Sequence, residues 1–170
     1  MTVPTLTTDR LTLRAHRIED FPAYALLWAS DEARFMGGPL NRDGAWGMFC
    51  TDVAGWSLHG FGAWAVERSV DGRTIGQVGL NAPPSFPERE LGWLVYPDYR
   101  GRGYGCEAAC AARGFAWRTL GWTTVVSYVD PQNAASIRLA KRLGAALDPD
   151  AARPEPSTLV FRHPSPEALR

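Results

Sequence analysis

The sequence predicts a mixed α/β domain with a mostly antiparallel sheet, flanking helices and one parallel crossover late in the chain. Three observations carry that expectation. The runs Phe61 to Arg68 and Thr74 to Leu80 read as strands joined through Asp71-Gly72, a dipeptide that favours a tight hairpin. A helical pattern separates the run Arg89 to Val95 from the β-branched run Thr123 to Val129, so those two strands should be parallel with a right-handed crossover. The 170 residues are 45% hydrophobic, enough for one sizeable core, so residues 1–170 are read as a single domain.

The elements follow in order. Leu11-Thr12-Leu13-Arg14 alternates as a first strand. In Ile18 to Ala29, Asp20 precedes Phe21-Pro22 as a helix start, and Tyr24, Leu27 and Trp28 recur at helical spacing. Ser30 to Asn41 contains Gly37-Gly38-Pro39 and reads as a loop. Asp43 opens a second helix carrying Trp46, Phe49 and Trp56. After the hairpin, Pro83-Pro84 and Pro87 mark a turn before the fourth strand. Tyr104 to Leu120 is nearly all alanine and apolar residues apart from Glu107, Arg113, Arg118 and Thr119, as expected of a helix packed on a sheet. Ile137, Ala140 and Leu143 form one face of a last helix closed by Gly144. Pro149, Pro154 and Pro156 then hold a loop leading to a final strand at about Thr158 to Arg162.

Charge and cysteine usage exclude several classes. Eighteen basic and eighteen acidic residues cancel, so no global field draws nucleic acid or an anionic membrane. No apolar run reaches the roughly 18 residues of a membrane span. The start MTVPTLTTDRLTL has neither a basic n-region nor a long apolar run, so a cytoplasmic protein is expected. Three cysteines argue against a disulfide framework. Cys106 and Cys110 are one helical turn apart without a histidine pair, and His16, His59 and His163 are scattered, so no metal site is expected. A homodimer is compatible with the sequence.

Chemistry concentrates in Glu90 to Gly105, ELGWLVYPDYRGRGYG: an apolar strand, a proline-broken loop, two arginines among three glycines, then a helix start. Glycines at 101, 103 and 105 let the backbone adopt φ > 0 and turn successive N–H groups towards one anion. The helix adds its unpaired N–H groups and positive dipole end, and Arg100 and Arg102 add formal charge. This arrangement suits a diphosphate. Gly103-Tyr104-Gly105-Cys106-Glu107-Ala108 also satisfies the dinucleotide fingerprint G-x-G-x-x-A, with Asp130 ending the next strand. That reading is disfavoured. Pro97-Asp98-Tyr99-Arg100 separates the glycines from their strand, hairpins precede it, and only one further helix pattern follows Asp130.

Arg100, Gly103 and Gly105 make R-x-x-G-x-G after a strand that carries a glutamate and ends Val95-Tyr96-Pro97. This resembles the coenzyme A signature of the GNAT superfamily of N-acetyltransferases. The continuation CEAACAARGFAW and DPQNAASIRLAKRLGA is similar to the branch that acetylates ribosomal-protein N-termini and to its small-molecule and protein relatives. The resemblance runs from about Thr8 to Gly144. It implies a GNAT-like sheet splayed between the fourth and fifth strands, with acetyl-CoA as cosubstrate and an amine acceptor that is a small molecule or a protein N-terminus. It implies pantetheine pairing with the backbone of Leu94, Val95 and Tyr96, an oxyanion near the Val95 N–H, and a diphosphate on Arg100, Gly101, Arg102, Gly103, Tyr104 and Gly105.

An activated thioester needs no covalent nucleophile, only placement, deprotonation of the amine and oxyanion stabilisation. Glu90 is the candidate base. It shares a strand face with Gly92 and Leu94, and burial among Trp93 and Trp64 would raise its pKa. A salt bridge with a cross-strand arginine such as Arg73 is the alternative role, and Glu67 and His59 are substitute bases. Asn133 and Ser136 occupy positions that in this superfamily contact pantetheine and lie near the thioester sulfur, although Asn133 equally fits a helix cap. Many members carry a tyrosine four residues after this serine, where Ala140 stands here. Ser136 would serve as acid, or the thiolate would leave unprotonated, which a thiol pKa of about 8.5 permits. The missing tyrosine keeps a second class open, a non-catalytic acetyl-CoA-binding sensor or interaction module. Resemblance assigns the acceptor pocket to Ser30 to Trp56 and Leu147 to Ser157, where Asp148, Asp150 and Glu155 are candidate cation partners and Trp46 and Trp56 are core or cage residues.

Overall fold

The chain forms β1 (Leu6–Thr7), β2 (Leu11–Arg14), α1 (Phe21–Trp28), α2 (Arg42–His59), β3 (Ala63–Arg68), β4 (Arg73–Asn81), β5 (Glu90–Val95), α3 (Tyr104–Arg118), β6 (Val126–Val129), α4 (Ala134–Arg142), β7 (Ala146–Leu147) and β8 (Leu159–Arg162), in a computed structural model that describes residues 2–169. All eight strands join one sheet in the order β1-β2-β3-β4-β5-β6-β8-β7. Every neighbouring pair is antiparallel except β5 and β6, as the late crossover requires.

Local chemistry sets the element ends. Gly72 takes φ +67° in the β3–β4 turn, and Asp71 holds Arg68 across it at 2.5 Å. The Asn41 side chain accepts from the Gly44 N–H at 2.8 Å to start α2, and Gly60 at φ +76° ends it. On one face of the sheet, α3 lays Ala108, Ala109, Ala112 and Phe115 against Trp64, Val78, Leu80 and Leu91. On the other, α1 and α2 enclose a second cluster of Phe21, Tyr24, Trp28, Ala45 and Phe49.

The structure departs from the sequence expectation in short elements. β1 and β7 were not anticipated, because two residues carry no periodicity and both exist only through their partners β2 and β8. The loop read over Ser30 to Asn41 contains a 3-10 helix, Asp31–Met36, capped by the Ser30 hydroxyl. β6 begins at Val126 instead of Thr123. There it meets the start of β5 through Glu90 and the end of β8 through Arg162, and earlier residues have no strand to pair with.

Candidate active site

β5 and β6 touch at one point and then part. Glu90 pairs with Val126, and the Val126 N–H donates to the Arg89 carbonyl at 3.1 Å. One residue further, the ladder is replaced by a side chain, with the Ser127 hydroxyl donating to the Leu91 carbonyl at 2.6 Å. A buried relay continues from it: Ser127 Oγ lies 2.9 Å from His163 Nε2, His163 Nδ1 3.2 Å from Arg113 Nη1, and Arg113 donates to the Leu143 carbonyl at 2.7 Å. Burial, then the Arg113 charge, lowers the His163 pKa to about 3, so its ring is neutral, with Nε2–H donating to Ser127 Oγ and Nδ1 accepting from Arg113. This relay links α3, α4, β5 and β6 at the point where the strands separate.

Strand register decides which backbone groups face the gap. Tyr96 donates to the Ile75 carbonyl, and Leu94 stands opposite Gln77, so the even-numbered residues of β5 spend their N–H and C=O groups on β4. Trp93 and Val95 face the gap. The backbone edge open to the gap is therefore that of Trp93 and Val95, whereas Leu94 and Tyr96, expected with Val95 to meet pantetheine, face β4. The Tyr96 carbonyl is taken as well, by the Tyr99 N–H at 2.9 Å, and that of Val95 accepts from Arg100 Nε at 2.9 Å.

Beyond the gap, no backbone N–H from Gly101 to Cys106 has a hydrogen-bond acceptor among the described residues. Gly101 at φ +73° and Gly103 at φ +83° turn these groups outwards at the start of α3, conformations that favour glycine. They border a cleft of about 560 Å³ whose rim carries Arg10, Arg102 and Arg142. Arg10 and Arg142 were not anticipated, since each is far from the motif in sequence. Arg100 lies elsewhere than expected. Its guanidinium turns away from the glycines to Val95 and to Glu32 on the 31–36 helix. The donor-rich, arginine-rimmed turn has the chemistry a diphosphate needs.

On the α1/α2 face, Asn81, Gly79 and Gln77 of β4 stand opposite Glu90, Gly92 and Leu94 of β5. The two glycines leave a bare floor: a Cβ at Gly92 would meet Asn81 Nδ2 at 3.0 Å and Glu90 Oε2 at 3.2 Å. Asn81 Nδ2 donates to Glu90 Oε2 at 2.8 Å. Burial pushes the Glu90 pKa up to about 7, against hydrogen bonds from Asn81 and the Tyr128 backbone and with a further push from the Asp52 charge. Trp64 and Trp93, expected to bury Glu90, belong to the α3 face, so its desolvation comes from the α1/α2 side. Arg73 pairs with Asp71, Glu67 is held by Arg14 at 2.6 Å, and His59 is exposed and stacked on Phe61 at 5.5 Å.

The same face carries groups that sequence reading missed. Tyr24 Oη donates to Asp52 Oδ2 at 2.7 Å, and Gln77 Nε2 donates to the same oxygen at 2.9 Å. Burial raises the Asp52 pKa despite these bonds. Beside Gln77 lies His16, a neutral ring whose pKa burial lowers to about 4. The available sequence signal was glycine inside two strands, at 79 and 92, which marks close approach to a strand face.

At the start of α4, the Asn133 side chain accepts from the Ser136 N–H at 3.1 Å, so its oxygen caps the helix, and its amide nitrogen has no partner among the described residues. Ser136 Oγ accepts from the Trp93 indole at 3.3 Å, beside the gap. Ala140 is fully buried against Val129 and Phe161. Asp148 is tied to Arg162 at 2.7 Å and Trp56 is core, whereas Trp46 is partly exposed against Phe21.

A sequence profile of the acetyltransferase (GNAT) domain matches residues 10–146. The crystal structure of an acetyltransferase from Agrobacterium tumefaciens superposes with a TM-score of 0.93 at 47% identity, covering 97% of this chain and 96% of that one. An L-2,4-diaminobutyric acid acetyltransferase of Streptomyces avermitilis is 31% identical over 115 residues, 64% of this chain and 60% of that one. The ribosomal L7/L12 α-N-protein acetyltransferase RimL, solved with coenzyme A, shares the fold at a TM-score of 0.76 and 14% identity, covering 97% of this chain and 99% of that one. Splayed strands, a glycine-built anion cradle and a profile match over most of the chain agree: this protein belongs to the GNAT family of acetyltransferases.

Proposed function

We propose that the protein moves the acetyl group of acetyl-CoA to a primary amine by direct attack, with Glu90 as the general base. The observation that carries this reading is Glu90 itself, a carboxyl group poised near pH 7 on the strand that borders the gap. The Gly101–Cys106 donors, with Arg102, would hold the diphosphate, and Trp93 and Val95 would pair with the pantetheine arm. The Val95 N–H, on the open edge, is the donor available to the developing oxyanion.

In the transfer, the amine nitrogen bonds to the thioester carbonyl carbon as its proton passes through a bridging water to Glu90, and the C–S bond then breaks. Ser136, whose hydroxyl accepts from the Trp93 indole, would protonate the leaving sulfur. The buried Ala140 leaves no place for the tyrosine used by many relatives, so departure of the bare thiolate is compatible with this site.

Release of coenzyme A thiol from acetyl-CoA over a panel of small amines and peptides tests the reading. Saturable, amine-dependent release that falls as pH drops through 7 is expected. Tight acetyl-CoA binding without amine-dependent release by any acceptor would overturn transfer and leave a binding module.

A further inference from the structure

The framework carboxylates Asp20, Glu67, Glu88, Glu107 and Asp148 each hold an arginine at 2.6 to 2.8 Å. Asp52 and Glu90, on the glycine-floored face, have no arginine or lysine partner among the described residues. A desolvated carboxylate without a cation is costly to keep. The protein nevertheless fastens Asp52 in place with two neutral donors, Tyr24 and Gln77, both on Oδ2. Oδ1 has no partner among the described residues, and Asp52 is only half-buried, so that oxygen is open to an incoming group. These two neighbours add no positive charge: Tyr24 is a phenol whose pKa burial raises, and His16 is neutral, its buried ring nitrogens without a hydrogen-bond partner among the described residues.

Gln77 and Asn81 present the two carboxylates from one face of β4. They are four residues apart, about 13 Å along a strand, with Gly79 between them. The two cation-free carboxylates thus line one strand face, where the two ends of a short aliphatic diamine can each meet one. Glu90 must neutralise the reacting ammonium. Burial raises the Asp52 pKa, and a lasting positive charge on the acceptor is what would complement its ionised form.

We propose that Asp52 is the specificity-determining residue of the acceptor site, binding a second ammonium so that short α,ω-diamines are preferred over monoamines of the same length. This rests on the acetyl-transfer reading above, and it adds a class of substrate and the residue that selects it.

The test compares kcat/KM for putrescine and cadaverine with n-butylamine and n-pentylamine, in the wild type and in Asp52→Asn. A diamine preference of about tenfold or more is expected from one charged hydrogen bond. In Asp52→Asn it should collapse to near unity while acetyl-CoA affinity is retained. No preference in the wild type, or a preference that survives Asp52→Asn, overturns the assignment. Asp52→Ser provides the same comparison if Asp52→Asn does not fold. Calorimetric binding of cadaverine to the coenzyme A complex separates the two readings. Asp52-dependent binding without turnover of any amine would sustain the cation site and sink transfer, whereas turnover with no dependence on Asp52 would do the reverse.

Discussion

Glu90→Gln should make the protein more stable and less active, and the size of the first effect follows from its surroundings. Burial displaces the Glu90 pKa from 4.5 to about 7, a difference worth about 3 kcal/mol between the protonated and ionised forms. The sign is that of a raised acid. The folded state binds the proton more tightly than the unfolded chain, so the contribution to stability is fully present below pH 4.5 and lost as pH rises through 7. Glutamine keeps the shape and the acceptor for Asn81 Nδ2 but turns an N–H₂ towards donors that the carboxylate had satisfied, a cost of about 1 kcal/mol. At pH 9 the variant should therefore be more stable by about 2 kcal/mol, raising the melting midpoint by roughly 4 to 8 °C for a chain of this size. At pH 4.5 the gain should vanish. Turnover at neutral pH should fall about a hundredfold or more, with acetyl-CoA affinity nearly constant. Thermal denaturation across this pH range and steady-state kinetics on the same preparation measure both effects. Equal midpoints for the two proteins at pH 9, or wild-type turnover in the variant, would refute the reasoning and make Glu90 a framework residue.

Two further outcomes test the cosubstrate side. Gly103→Val places a β-branched residue at φ +83° where the free N–H groups turn outwards, so coenzyme A affinity by calorimetry should fall about tenfold or more; unchanged affinity in the folded variant would remove the cradle assignment. Ser127→Ala leaves the Leu91 carbonyl and His163 Nε2 without this partner at the root of the gap, at a cost of about 1 to 3 kcal/mol in stability. KM for acetyl-CoA should rise severalfold with little change in kcat, and a loss of stability with KM unmoved would confine the relay to folding.

The parts of the site legible in the sequence are those written in local backbone chemistry. Gly101 and Gly103 after a proline-broken strand specify a turn with free N–H groups whatever packs around it, and the helix between the runs ending at Val95 and Val129 specifies their parallel pairing; Gly105, expected in the turn, lies inside α3 against Leu139. Placement of Glu90 on the face of Gly92 and Leu94 follows from the period of two. The backbone partners did not follow from it. Leu94, Val95 and Tyr96 read as equivalent along the chain, and only pairing to β4 through Ile75 and Gln77 leaves Val95 open and occupies the other two. The source of Glu90 desolvation was missed for the same reason, since Trp64 and Trp93 are close in sequence or strand order but lie on the opposite face.

Asp52, Gln77 and Tyr24 come from α2, β4 and α1, and no spacing in the sequence relates them. Their meeting depends on how two helices lie over the sheet. The Ser127–His163–Arg113 relay likewise joins residues that the chain keeps far apart. What the sequence alone determined is therefore the fold class, the order of its elements and the diphosphate turn, because these rest on hydrophobic period and on conformations open mainly to glycine. The tertiary structure alone decided which carboxylates lack a cation, which backbone edge faces the gap and where Arg100 turns. Charge pairing and desolvation are set by neighbours in space, and in a sheet those neighbours are fixed by register and not by distance along the chain.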